Sequence, residues 1–159
     1  MRFLIAAALL LATPVLAQPA SPIRANPADS FKFVTGGEID RLVSVPEAGR
    51  VYGATFMNDH ENYFVEFVKR LDHGNAVELH PHWIDQITIT AGEGILTYGG
   101  TVNGGTLAPN GELRGGTQAG AKTQALHAGD FVLIPAGLPH LFNAAPGKTL
   151  TYAVFKARN

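Results

Sequence analysis

Apolar and polar residues alternate along this chain in short runs, each closed by turn-forming residues. Extended segments are predicted over Ile39 to Val45, Arg50 to Met57, Tyr63 to Leu71 and Ala76 to His82. A second series covers Asp85 to Thr90, Ile95 to Tyr98, Lys122 to Leu126, Phe131 to Ile134, His140 to Asn143 and Thr149 to Lys156. Pro46-Glu47-Ala48-Gly49, Asn58-Asp59, Asp72-His73-Gly74-Asn75 and Gly92-Glu93-Gly94 are the turn signals between them. No long stretch carries the 3.6-residue apolar period of an amphipathic helix. Many short strands and 18 glycines predict an all-β sandwich or barrel. Phe64, Phe67, Phe131, Phe142, Tyr152 and Phe155 fall on strands and read as core. Gly99 to Gly120 is glycine-rich and poor in strong hydrophobes. It reads as a long hairpin excursion, or as a loop covering a substrate with Glu112 and Arg114 as its polar contacts.

The N-terminal pattern differs from the rest. Met1-Arg2 followed by the apolar run Phe3 to Ala12 and the small-residue stretch Val15-Leu16-Ala17 reads as a secretory signal peptide cut after Ala17. Residues 18–30, with Pro19, Pro22 and Pro27, read as a flexible leader, and 31–159 as one domain. The expected location is periplasmic or secreted, with no membrane association after cleavage. The chain has no cysteine, which excludes thiol chemistry and leaves stability to an ordinary core. A formal charge of −1 without any Lys/Arg run argues against nucleic acid as a partner.

Candidate chemistry lies in two stretches, Gly74 to His82 and Gly129 to His140. His80 and His82, if both sit on an extended strand, point to one face, because side chains alternate. Imidazole is the commonest protein metal ligand near neutral pH. His140, which follows the Pro135-x-Gly137 turn, adds a third. A carboxylate can complete the set. Asp85 shares a strand face with Ile87 and Ile89, whereas Gln86 shares one with Thr88 and Thr90. The apolar face should line the interior, so Asp85 is the preferred fourth ligand and Gln86 the alternative. Val77 and Leu79 alternate with the histidines and must pack outward against a second layer, an N-terminal strand or a partner subunit. His60, His73 and His127 fall in predicted turns and are expected to be exposed. Trp83 reads as core, interface or pocket wall.

The spacing resembles the paired motifs of the cupin superfamily. Gly74, five residues and His80-Pro81-His82 match the first motif, whose carboxylate position falls on Gln86 counted from His82 and on Asp85 counted back from Gly92. Gly129, five residues, Pro135-x-Gly137, two residues and His140 match the second, with Asn143 one residue early. The resemblance implies a double-stranded β-helix, or jelly-roll barrel. It also implies a homodimer, which Val77 and Leu79 would suit, and one divalent transition metal, whether Mn, Fe, Ni, Cu or Zn. The metal ligands would be His80, His82, Asp85 and His140. Implied activities are those of dioxygenases, decarboxylases and lyases acting on a small organic molecule. Two other classes stay open: a module that binds a small ligand or metal without turnover, and a metal-free, epimerase-like protein using a histidine as base.

Overall fold

The computed structural model describes residues 31–44, 52–57 (backbone only) and 62–159. The predicted signal peptide, the leader and His60 lie outside the described residues. The chain divides into Met1–Phe33 and Val34–Asn159, and the architecture below belongs to the second unit. Among the described residues there are a helix, α1 (Gly36–Leu42), and twelve strands. The strands are β1 (Tyr52–Met57), β2 (Tyr63–Arg70), β3 (Glu78–Leu79), β4 (Trp83–Tyr98), β5 (Thr101–Asn103) and β6 (Thr106–Leu107). They continue with β7 (Leu113–Arg114), β8 (Thr117–Ala119), β9 (Lys122–His127), β10 (Phe131–Ile134), β11 (His140–Ala144) and β12 (Leu150–Arg158). No described helix is long and apolar enough to cross a membrane.

All pairings are antiparallel, and β4 belongs to two sheets. Its first half lies between β12 and β10, extending the order β1-β2-β12-β4-β10. Its second half lies between β9 and β11, in the order β9-β4-β11-β3-β7-β6. This is the mostly β, double-sheet architecture expected of a jelly roll. The turn anticipated at Gly92-Glu93-Gly94 is not a turn. The strand runs through it, and just before it the register skips Thr90, with Tyr152 opposite Ile89 and Thr151 opposite Ala91, the kind of bulge that bends a strand from one sheet into the next. Gly92 has φ +82°, and a Cβ there would lie 1.9 Å from the Thr149 carbonyl oxygen. Gly129 has φ +95° but open space around it. Gly92→Ala is therefore expected to lose at least about 2 kcal/mol, and clearly more than Gly129→Ala, in urea unfolding. Equal losses would show that backbone strain alone, not close approach, fixes Gly92.

Side chains from the two inner faces make the core, including Val68, Ile87, Ile89, Leu96, Leu126, Phe142, Leu150, Tyr152 and Val154. Three expectations change. Ile39 to Val45 was read as extended, but Gly36–Leu42 is helical because Thr35 caps it, accepting a hydrogen bond from the Glu38 amide. The Thr35-x-x-Glu38 spacing is the sequence signature of such a start. Phe131 and Phe155 are not core: Phe131 is 59% and Phe155 39% exposed, while Val132 and Ile134 turn inward. Every residue of Phe131–Ile134 is apolar, so the two faces of this strand cannot be told apart from the sequence. Val77, read as outward-facing, is buried within the chain.

The glycine-rich segment is a hairpin excursion. Strands β5 and β8 pair as a separate ribbon, and beyond them β6 and β7 pair with each other while β7 also joins β3. That pairing lays the tip of the excursion against the strand carrying Glu78.

Candidate metal centre

Strand β3 ends at Leu79, and the chain turns over Pro81-His82. Proline fixes its own φ and has no amide hydrogen to give to a ladder, so the strand stops there. The alternation that was to align His80 with His82 therefore runs one step earlier and aligns Glu78 with His80. His82 is exposed and does not line the cavity between the sheets. Glu78 is directly opposite His140 in the β3–β11 pairing, which brings the second-motif histidine beside the first-motif pair. Asp85 enters from β4, buried on the face of Ile87 and Ile89, while Gln86 is exposed. Parity thus placed Asp85 and Gln86 as expected and misplaced His82.

Glu78, His80 and His140 each offer one ligand atom within 4.8 Å of the others. Asp85 Oδ2 lies 3.7 Å from Nε2 of both imidazoles. His80 Nε2 and Asp85 Oδ1 are buried with no hydrogen-bond partner. The other ring nitrogens are anchored. His140 Nδ1 lies 2.9 Å from the Leu138 carbonyl, which only accepts, so Nδ1 carries the hydrogen and Nε2 presents its lone pair to the cluster. His80 Nδ1 meets Glu112 Oε2 at 2.5 Å, from the tip of the glycine-rich excursion. A carboxylate or carbonyl behind each imidazole is the usual support of a metal-ligating histidine. Buried partnerless donors, imidazole and carboxylate chemistry, and this support together fit a divalent ion.

Charge around the cluster is arranged with equal care. Arg70 Nη2 and Arg114 Nη1 both donate to Glu78 Oε1, at 3.1 and 2.6 Å. Arg70 also donates to Tyr152 Oη at 2.7 Å and to Asn75 Oδ1, and Asn75 Nδ2 in turn donates to Asn143 Oδ1. Burial opposes ionisation of Glu78, but His80 and the two arginines outweigh it and hold its carboxyl well below the usual range. His80 is also buried, which disfavours its charged form, yet the surrounding Glu78, Asp85 and Glu112 raise it above its ordinary value. Burial dominates at His140, which is lowered and stays neutral. Asp85 is paired with Lys156, whose Nζ lies 2.7 Å from Oδ2. The cavity around these groups measures about 520 Å³ and is walled on another side by Phe64 and Trp83, whose rings meet edge-on at 5.1 Å.

Sequence reasoning missed Glu78, Arg70, Lys156 and Glu66. Each sits on the inward parity of a strand: Phe64, Glu66, Val68 and Arg70 on β2, and Tyr152, Val154 and Lys156 on β12 all line the cavity. A charged residue in phase with core positions was the available signal. Glu112 and Arg114, expected as polar contacts of the excursion, reach His80 and Glu78. His73 and His127 are exposed as anticipated, and Trp83 is a cavity wall.

No family profile and no curated protein matches the chain. Solved structures do. Peruvianin-I, described as a cysteine peptidase from Thevetia peruviana latex, superposes with TM-score 0.56 at 15% identity, covering 91% of this chain and 84% of its own. An uncharacterized Klebsiella pneumoniae protein with a double-stranded β-helix domain gives 0.54 at 19% identity, over 75% of this chain and 85% of that one. The cupin domain of Cnp3 from Schizosaccharomyces pombe gives 0.52 at 12% identity, over 73% and 72%. Likeness at these identities is likeness of fold. With both sheets, the shared strand β4 and the inward-facing histidines in place, the chain has the fold of the cupin superfamily, the double-stranded β-helix.

Proposed function

We propose that this chain is a metal-dependent cupin enzyme, an oxidoreductase of the dioxygenase type acting on a small organic molecule outside the cytoplasm, with lyase chemistry as the alternative. The observation carrying the reading is the buried Nε2 of His80, which has no hydrogen-bond partner and converges with His140 and Glu78, whose Oε2 lies 3.6 Å away. Two imidazoles and one carboxylate with open positions form the donor set on which non-haem iron(II) oxygenases are built. When bound, the ion supplies a Lewis-acidic and redox-capable centre. The remaining work falls to the chain's own groups. His140 Nδ1 and His80 Nδ1 fix ring orientation through Leu138 and Glu112. Arg70 and Arg114 keep Glu78 ionised and aimed. Phe64 and Trp83 supply an apolar wall for the body of the substrate. Without a cysteine, the chemistry named for peruvianin-I is not available here.

The Lys156–Asp85 pair favours a second reading. It gives the buried carboxylate a cation of its own, as a metal-free site with a histidine base would require.

Elemental analysis of protein reconstituted with iron(II), manganese or zinc separates the two. Near-stoichiometric metal is expected in the wild type and in His82→Ala, with loss of at least about tenfold in affinity in His80→Ala, His140→Ala and Glu78→Ala. Circular dichroism would establish that the variants are folded. Equal loss in His82→Ala would overturn the ligand set. Absence of metal from the folded wild type would favour the metal-free reading.

A further inference from the structure

Glu66 is the cavity group that the metal centre leaves unused. It lies on the inner face of β2 between Phe64 and Val68, paired across the strands with Val154. Its carboxylate borders the same cavity as the metal cluster, yet among the described residues it makes no hydrogen bond or ion pair. Half-buried Glu78 and buried Asp85 are both engaged by cations. A half-buried carboxylate is normally disfavoured without a partner. Its surroundings are apolar on one side, with Phe64, Trp83 and Val154 in the wall.

We propose that Glu66 is the specificity-determining acceptor of the cavity, taking a hydrogen bond from the hydroxyl of a small neutral ligand whose apolar body rests on Phe64 and Trp83. The charges facing Glu66 select that class. Lys156 and Arg70 favour its ionised form and repel a cationic ligand, whereas Glu78, Asp85 and Glu66 itself repel an anionic one. A neutral donor satisfies the carboxylate without adding to either repulsion. Burial, the largest influence on Glu66, raises its pKa, so the ionised group is held at some expense of stability. A neutral replacement should therefore fold at least as well. Loss of function with retained or raised stability is the mark of a group kept for a ligand.

The inference rests on the cavity being the functional site but not on a bound metal, so the test is run on chelator-treated protein. Trp83 is the only tryptophan of the chain and part of the cavity wall, so its fluorescence reports binding there. Benzyl alcohol, benzoate and benzylamine serve as neutral, anionic and cationic probes of similar shape. Wild type is expected to bind benzyl alcohol most tightly. Glu66→Leu should weaken that binding about tenfold, the worth of one charge-assisted hydrogen bond. Glu66→Gln should gain affinity for benzoate by removing the like charge. Both variants should melt at or above the wild-type temperature. The proposal is overturned if Glu66→Leu binds benzyl alcohol as the wild type does, if benzoate or benzylamine is the preferred wild-type ligand, or if none of the three binds. None of those results bears on metal content, so the two readings fail separately.

Discussion

Replacing Lys156 by Met is expected to destabilise the metal-free protein by about 3–5 kcal/mol, the usual consequence of removing one partner of a buried ion pair. The side chains of Lys156 and Asp85 are only 9% and 4% exposed, and Nζ lies 2.7 Å from Oδ2. Without the ammonium, Asp85 keeps a buried Oδ1 that already has no partner. Its Oδ2 would then face two imidazole nitrogens, one of them on a histidine that burial keeps neutral. The other nitrogen belongs to His80, 3.7 Å away and raised above its ordinary value, so it compensates the charge only while it is protonated, and the full loss is expected above its folded value. The matched substitution Asp85→Leu with Lys156→Met removes both charges together and should recover most of the loss, because two apolar groups need no compensation. The measurement is urea unfolding of the three variants beside the wild type.

The same substitution tests how the pair relates to the proposed ion. An ammonium beside Asp85 competes with a second cation for the carboxylate. In Lys156→Met that competition is gone, and an ion held by His80, His140 and Glu78 would sit close enough to neutralise Asp85. Added zinc should therefore restore more stability to this variant than it gives the wild type. A loss within about 1 kcal/mol of wild type would mean that water reaches the pair as it reaches surface salt bridges. A deficit untouched by metal would mean that Asp85 lies outside the ion's influence.

How far the sequence could be read follows from how local each signal was. Alternation identified eight of the twelve described strands, missing the four short ones of the glycine-rich excursion, and it put Asp85 inside and Gln86 outside, because a strand's two faces are fixed by counting. It failed wherever counting was interrupted. Pro81 ends β3, so His82 leaves the face that His80 occupies, although the two histidines fit the family spacing to the residue. Gly92 permits β4 to pass from one sheet to the other, so a glycine pair that reads as a turn is a bend inside one strand. Glu66 and Lys156 stayed hidden for a different reason. Their value depends on what lies across the cavity, and pairing partners such as Val154 opposite Glu66, or Asp85 opposite Lys156, are long-range facts of register. Glu112 and Arg114 stood out only because charge is rare in a glycine-rich run, and the cross-strand pairing of β7 with β3 turned that rarity into contact with the site.

Metal affinity is expected to rise by up to about tenfold per pH unit from about pH 6.5 to the raised folded value of His80 and then level off, with one proton released per ion bound in that window. The cause lies in the different resting states of the three ligands. Glu78, held well below the ordinary carboxylate range, is already ionised above about pH 4.5 and releases nothing. His140, lowered by burial below its ordinary 6.5, is mostly neutral from that pH upward. His80 is the exception, because neighbouring carboxylates outweigh its burial and raise it above 6.5, so below that folded value a proton occupies the imidazole that the ion needs. The signs for stability follow. A raised histidine stabilises the metal-free fold fully below 6.5 and loses that contribution as pH climbs through the folded value, so the ion takes over where the proton leaves. Glu78 acts in the opposite sense, contributing above its unfolded value and ceasing to do so only as pH falls through its depressed folded one. Glu112→Gln separates proton from anchor. Losing that carboxylate should move the levelling-off to lower pH, and the less firmly oriented ring should weaken binding about 10–100-fold at pH values above it. Calorimetry in buffers of different ionisation enthalpy counts the protons directly. Release of two protons would mean that His140 is charged at rest. Release of none would take His80 out of the ligand set.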